Sequence, residues 1–176
     1  MEKLIINKLG PIERCELECS QFMTFTGFQA SGKSTVAKSI YYFRTIKENI
    51  LELAKSQALN ITPIGGLENE FDVDCNVSLK KALENYLREK FLRTFGASWG
   101  MSNEMYMEYS FTETCFIKIS LRNDKKYSVP NYIRITLSAD LKDFLQKKNN
   151  CLRGTPLWIN DDEVKKFKKE LYEIFD

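Results

Sequence analysis

The stretch FMTFTGFQASGKST, residues 22–35, restricts the possible folds of this chain more than any other part of it. Its glycine-flanked section, Gly27–Ser34, matches the pattern GxxxxGK[ST] at every defined position, and Thr35 follows. The apolar run 22–26 has no polar face and predicts a strand covered on both sides. An amphipathic helical pattern then extends from about Lys33 to Ala58. Strand, glycine loop and helix in this order are the setting that a phosphate-binding loop (Walker A) requires, so the sequence predicts an α/β fold that binds a nucleotide.

The loop residues have distinct physical roles in the predicted site. Glycine at positions 27 and 32 permits backbone angles and close approaches that a side chain would block. Successive N–H groups would form an anion-binding nest at a helix N-terminus, where the helix dipole adds partial positive charge. Lys33 would reach the β- and γ-phosphates, and the Ser34 hydroxyl would bind Mg²⁺. We therefore expect ATP and Mg²⁺ as ligands, with these nucleotide-binding residues: Gly27, Phe28, Gln29, Ala30, Ser31, Gly32, Lys33, Ser34 and Thr35.

Periodicity predicts the remaining elements. Strands are expected at about 3–9 and 13–19 on either side of a Gly10-Pro11 turn, and a β-hairpin at about 111–137. Helices are expected at about 78–95, ending at Gly96, at about 139–148, and at about 161–175, the last with a packing face. Residues 60–76 are interpreted as a loop or small insertion. Residues 97–110 are rich in methionine and aromatics, which favours core packing over a partner-binding or base-stacking surface.

Composition narrows the possible chemistry. The 176 residues suffice for one domain or for a substantial part of a larger one. A formal net charge of +2 argues neither for nor against nucleic-acid binding. The chain has no histidine, which excludes a Ser-His-Asp triad, a Cys-His pair and any histidine metal ligand within it. No apolar run could span a bilayer and the N-terminus lacks a signal peptide, so we expect a cytoplasmic protein without membrane contact.

The five cysteines indicate neither a disulfide framework nor a zinc site. They are Cys15, Cys19, Cys75, Cys115 and Cys151. Cys15 and Cys19 alternate with charged residues, which places both on the buried face of the second strand.

Residues 8–43, KLGPIERCELECSQFMTFTGFQASGKSTVAKSIYYF, resemble the opening of ABC/SMC/RecF-like ATPases, particularly the OLD-like bacterial AAA-family ATPases. The resemblance is specific over about residues 3–45. It implies a P-loop NTPase lobe with a mixed sheet and an antiparallel β-subdomain, to which the hairpin at 111–137 is similar. The chain departs from the family at Phe28, Gln29 and Ala30, where proline, asparagine and glycine are common. The turn at Ala30 must therefore suit an L-residue.

The catalytic residues of such an ATPase are not found in this sequence. The chain has no LSxGQ-like signature, no Walker B strand with its catalytic glutamate and no switch histidine. The nearest imitation of Walker B, LWINDDE at 157–163, is better explained by Asn160 and Glu163 as a capping box that opens the last helix. In this family the missing motifs lie C-terminal, so the resemblance implies that residues 1–176 are an N-terminal ATP-binding lobe, incomplete without C-terminal elements.

The resemblance also implies partners and leaves alternatives open. Members of this family sandwich the nucleotide in a head-to-head homodimer and couple hydrolysis to conformational change, and many relatives act on DNA or in bacterial defence. A complete small P-loop kinase is an alternative, although no two of the arginines share a short lid-like segment. A nucleotide sensor without hydrolysis is a third possibility.

Overall fold

The computed structural model describes residues 1–58, 78–124, 129–152 and 161–176, with side chains omitted at 57–58, 122–124, 129–131, 149–152 and 161. The strands are β1 (Lys3–Leu9), β2 (Ile12–Glu18), β3 (Tyr106–Ser110), β4 (Phe116–Asp124) and β5 (Val129–Leu137). The helices are α1 (Lys33–Arg44), α2 (Ile46–Ala58), α3 (Leu79–Phe95), α4 (Ala139–Leu152) and α5 (Asp161–Phe175), with a 3₁₀ turn at Ser98–Gly100. The molecule is thus an α/β fold, as predicted.

The five strands form one sheet in the order β2-β1-β3-β4-β5, and every pair is antiparallel. The first hairpin turns at Gly10-Pro11, between the paired residues Leu9 and Ile12. Gly10 has φ +58°, the left-handed angle that the first central position of such a tight turn requires. This turn fixes the register of β1 against β2 and places Pro11 and Ile12 beside the start of α1.

The described helices pack against one face of the sheet. Alternate residues of β1, β3, β4 and β5 are buried on that face. They include Leu4, Ile6, Met107, Tyr109, Ile117, Ile119, Ile133 and Ile135. The intervening residues point to the other face, where Lys3 pairs with Glu16 and Lys118 with Glu108. Period-two burial of this kind is typical of an antiparallel sheet with one solvated side.

The prediction of one continuous helix over about 33–58 was wrong, because the structure has two helices there, divided at Thr45. The Thr45 hydroxyl donates to the carbonyl of Tyr41 at 2.9 Å, a local bond that competes with helix continuation. Lys90 of α3 contacts both sides of the break, since its ammonium donates to the Tyr42 carbonyl and to the side chain of Asn49. The division therefore depends on a tertiary contact as well as on Thr45.

The strand predicted at 22–26 does not form, and the expected mixed sheet was wrong for the described strands. Phe22 is 86% exposed, Thr24 and Thr26 are exposed, and Met23 and Phe25 are only partly buried. A strand covered on both sides needs neighbouring strands to pair its backbone N–H and C=O groups. The described part of the chain supplies no such neighbour for these residues.

The packing tests two further predictions, one for residues 97–110 and one for the last helix. The core packing predicted for residues 97–110 is confirmed only for the part that enters β3: Met105, Met107 and Tyr109 are buried, and β3 lies at the centre of the sheet. The part before it is largely exposed, with Trp99 at 74%. The packing face of the last helix is confirmed, because Phe167, Leu171 and Phe175 are buried.

The predicted hairpin is confirmed as β4 and β5, and Gly96 ends α3 with φ +86°. Cys19 and Cys115 are buried and Cys15 is half-buried. Burial raises the pKa of each of these thiols, that of Cys115 to about 11. The loop interpretation of 60–76, Cys75, the side chain of Cys151 and the capping-box residue Asn160 lie outside the described residues.

Candidate functional site

The glycine loop links the extended segment 22–26 to the first turn of α1. Residues 27–31 are exposed, whereas Gly32 is buried at the base of the loop. The N–H of Ser31 donates to the Phe28 carbonyl at 3.4 Å, which closes the turn, and the N–H of Val36 donates to the Gly32 carbonyl at 3.0 Å, which opens the helix. The structure therefore brings all the residues from Gly27 to Thr35 together around one helix N-terminus.

The backbone has a positive φ at three positions of the loop. Gly27 has φ +143°, Ala30 has φ +61° and Gly32 has φ +90°. The expectation that the turn at Ala30 suits an L-residue was wrong, since residues other than glycine rarely adopt the positive φ that Ala30 has. Alanine occupies a place where a glycine would relax the backbone, and such strain is typical of functional sites.

Gly32 packs the loop against the β1–β2 turn. A Cβ atom at Gly32 would lie 2.6 Å from Ile12 Cγ1 and 3.6 Å from Pro11 Cγ. One turn later Thr35 reaches the same hairpin, because a Cβ at Gly10 would lie 3.7 Å from Thr35 Oγ1. The hairpin is thus a rigid support for both the loop and the first turn of α1.

Lys33 folds back onto the loop that precedes it. Its ammonium donates to the carbonyls of Gly27 at 2.8 Å and Phe28 at 2.5 Å, and to the Ser31 hydroxyl at 3.3 Å. Within the described residues its ammonium forms no ion pair, since its recorded acceptors are neutral. The loop therefore carries a full positive charge that an incoming anion can bind.

The N-terminus of α1 is also suited to an anion. Gly32 provides no side chain to cap it, and the first turn contains no acidic residue. The N–H groups of a first helical turn have no partner within the helix, and the helix dipole makes this end partly positive. Loop, ammonium and helix end thus place positive potential at one point.

Ser34, the expected magnesium ligand, is exposed in the first turn of α1. In the described part of the chain, no cluster of three His, Cys, Asp or Glu residues is arranged to hold a metal ion. A lone hydroxyl fits Mg²⁺ when phosphate oxygens and waters complete the octahedron, as is usual for this ion in nucleotide sites. The residues present are therefore compatible with Mg²⁺ that arrives with a nucleotide.

A cavity of about 540 Å³ opens beside the loop. Its walls are the β1–β2 hairpin, α1, the end of α3 and the 3₁₀ turn with the residues after it. Thr35 is the one residue of the predicted loop that lines it. Phe95 and Met101 also line it. Their place there was not predictable from the sequence, because both come from segments distant from the loop whose composition indicates core packing.

The structure defines the class of this protein as a two-layer α/β fold with an antiparallel sheet covered on one face by helices. Comparison with protein-family models, with curated proteins and with solved structures gives no match. Among the described helices, none combines the length and apolarity that a membrane crossing requires. Residues 27–35 and the cavity beside them are the features of the described chain that bear on its function.

Proposed function

We propose that residues 1–176 are the ATP-binding lobe of an ABC/SMC/RecF-like P-loop ATPase, of the OLD-like bacterial AAA-family type. The observation that carries this proposal is the position of Lys33. Its ammonium lies against the carbonyls of its own loop, at the uncapped N-terminus of α1. A triphosphate that binds there exchanges neutral acceptors of Lys33 for anionic ones, and hydrogen bonds between charged groups are about twice as strong as neutral ones.

The ligand set follows from the same residues. The backbone N–H groups from Gly27 to Thr35 and the Lys33 ammonium would hold the phosphates, and Ser34 would bind Mg²⁺. When bound, Mg²⁺ neutralises phosphate charge and orients the terminal phosphate. The acid that positions the attacking water is not assigned to any residue of this sequence.

The exposed segment 22–26 supports the view that the lobe is completed by a C-terminal remainder of the same polypeptide. Phe22 is 86% exposed, and Tyr41 on the nearby helix α1 is 68% exposed. An extended apolar run without strand neighbours in the described residues is suited to pairing with strands supplied from elsewhere. We propose that the remainder supplies those strands and the catalytic motifs, and that ATP joins two such proteins in a homodimer. DNA processing and bacterial defence are the roles that the resemblance favours.

Binding of the triphosphate tests the proposal. We expect MgATP and magnesium tripolyphosphate both to bind residues 1–176, and Lys33→Ala to abolish both, because the ammonium is the loop's one side-chain cation. Lys147→Ala is the matched control: Lys147 is an exposed lysine of α4, remote in sequence from the loop, and its removal should leave the dissociation constants unchanged. Equal binding by Lys33→Ala and the unmodified chain would refute the proposal.

Turnover separates this proposal from the kinase alternative. We expect residues 1–176 to release phosphate from ATP at a rate near the uncatalysed background, because binding residues are present without a catalytic acid. Phosphate release under saturating MgATP measures this directly. Rapid hydrolysis by the isolated chain would contradict the need for C-terminal motifs, and phosphorylation of a small acceptor would favour the kinase.

A further inference from the structure

The cavity beside the phosphate loop is connected to it through a single residue. Thr35 belongs to the first turn of α1 and also lines the cavity. Lys38, one helical turn further along, lines it too, so the same face of α1 leads from the loop into the cavity. A ligand with its phosphates at the N-terminus of α1 could extend along this face without crossing another element.

The composition of the walls suits a flat, partly polar group. Phe95 and Met101 supply apolar surface at one end, while Glu13 and Lys38 supply charged groups at the hairpin and helix side. Its volume of about 540 Å³ lies in the ordinary range of small-molecule sites. Aromatic and thioether side chains provide the stacking surface that bases prefer, and polar groups at the rim can bond ring nitrogens or hydroxyls.

The wall formed by residues 100–102 is followed closely by Glu104, which contacts the end of β1. Asn7 donates its side-chain N–H to the Glu104 carbonyl at 2.9 Å, and the Lys8 ammonium pairs with the Glu104 carboxylate. Lys8 itself holds φ +48°, an angle rare for a residue with a side chain, directly where β1 borders the cavity. These contacts tie the segment that follows Met101 to the end of β1 beside the cavity.

We propose that this cavity binds the nucleoside end, base and ribose, of the nucleotide whose phosphates bind at 27–35. The proposal rests on the proposed function and adds the recognition surface to it. The base lies against Phe95 and Met101, and Thr35 marks the passage between base and phosphates. Phe28, within the loop itself, is 91% exposed and does not line the cavity.

The experiment compares a ligand that has a nucleoside with one that lacks it. Met101→Ala should weaken MgATP binding about tenfold, because it removes apolar contact with the base. The same variant should bind magnesium tripolyphosphate with an unchanged dissociation constant. Trp99→Ala is the control, since Trp99 is a large neighbouring side chain that does not line the cavity. It should change neither constant.

Photolabelling with 8-azido-ATP gives a second measurement that does not depend on the folding of a variant. The expected label falls on the peptide that contains residues 94–102 and is lost when unlabelled ATP competes. Label on another peptide, or equal loss of MgATP and tripolyphosphate binding in Met101→Ala, would overturn the inference. In that case, tripolyphosphate binding that depends on Lys33 would still support the proposed function. Failure of the unmodified chain to bind either ligand would reject both.

Discussion

Gly32 is restricted to glycine for two separate reasons. Its φ of +90° is strained for a residue with a side chain, and a Cβ there would lie 2.6 Å from Ile12 Cγ1. Angle and contact arise from the same arrangement, since the loop must turn sharply to enter α1 while it rests on the β1–β2 hairpin. The glycine loop is therefore shaped by its support as well as by its own sequence.

We expect Gly32→Ala to lower the free energy of unfolding by about 1–3 kcal/mol, the usual cost of a side chain held in a left-handed conformation. Urea unfolding measures the change. Gly100→Ala is the control, because a Cβ at Gly100 meets nothing within 4 Å. Equal stability of the two variants would show that the loop does not rest on Ile12 as described.

The C-terminal end of α1 is attached to the sheet by a partly buried polar cluster, which we define as Glu2, Ser20, Arg44 and Tyr109. The Tyr109 hydroxyl donates to the Glu2 carboxylate at 2.7 Å and accepts from Arg44 Nε at 3.2 Å. Arg44 Nη2 donates to the same carboxylate at 2.6 Å and to the Ser20 carbonyl at 2.8 Å. The cluster holds α1 against β3 at the end opposite the glycine loop.

Removal of one hydroxyl tests how much this cluster contributes. Tyr109→Phe should lower the free energy of unfolding by about 1–2 kcal/mol, because Glu2 and Arg44 each lose a hydrogen bond in a largely buried setting. Tyr106→Phe on the same strand is the control, since that side chain lies on the other face of the sheet. Chemical denaturation should show a lower free energy of unfolding for Tyr109→Phe than for Tyr106→Phe. Matching curves would show that the cluster does not stabilise the fold.

The junction between α1 and α2 contains a lysine with a lowered pKa. Lys90 donates to the Tyr42 carbonyl at 3.1 Å and to the side-chain oxygens of Thr45 and Asn49, each at 2.6 Å. Burial lowers the pKa of Lys90 to about 8, and the nearby carboxylates of Glu48 and Glu52 oppose that change only in part. The charged lysine is thus held by neutral acceptors rather than by an ion pair.

The stability of the fold should depend on this group between about pH 8 and pH 10.5. Over that range the unfolded chain retains the proton that folded Lys90 has released, so the free energy of unfolding rises with pH, by at most about 1.4 kcal/mol per pH unit. Lys90→Met removes this contribution. The difference in unfolding free energy between the unmodified chain and Lys90→Met should therefore change with pH in favour of the unmodified chain. A constant difference would show that the pKa of Lys90 is not lowered.

Local patterns predicted the elements that local interactions determine. The glycine loop, the start of α1 at Lys33 and the end of α3 at Gly96 follow from residues close together in the chain. The division at Thr45 could not be predicted because it also involves Lys90, which is 45 residues away. The segment 22–26 has a strand's composition, but pairing depends on neighbours that its own residues do not reveal.

In the molecule as a whole, a one-sided antiparallel sheet positions the helix that carries the glycine loop. The sheet's open face carries ion pairs such as Lys118–Glu108 at 3.2 Å, which contribute little to stability because they are partly exposed. The buried face determines where α1 lies, and α1 in turn joins the loop to the cavity at Thr35. The sequence indicated the loop correctly as a local unit, whereas the cavity arises only when α3 and the β1–β2 hairpin come together.

The most direct test is isothermal titration calorimetry, in which MgATP is titrated into residues 1–176 and into the Lys33→Ala variant. We expect saturable binding to the unmodified chain, loss of that binding in Lys33→Ala, and retention of it in Lys147→Ala. Binding that persists without the Lys33 ammonium, or the absence of any heat of binding in the folded unmodified chain, would contradict the claim that residues 27–35 form a nucleotide phosphate site.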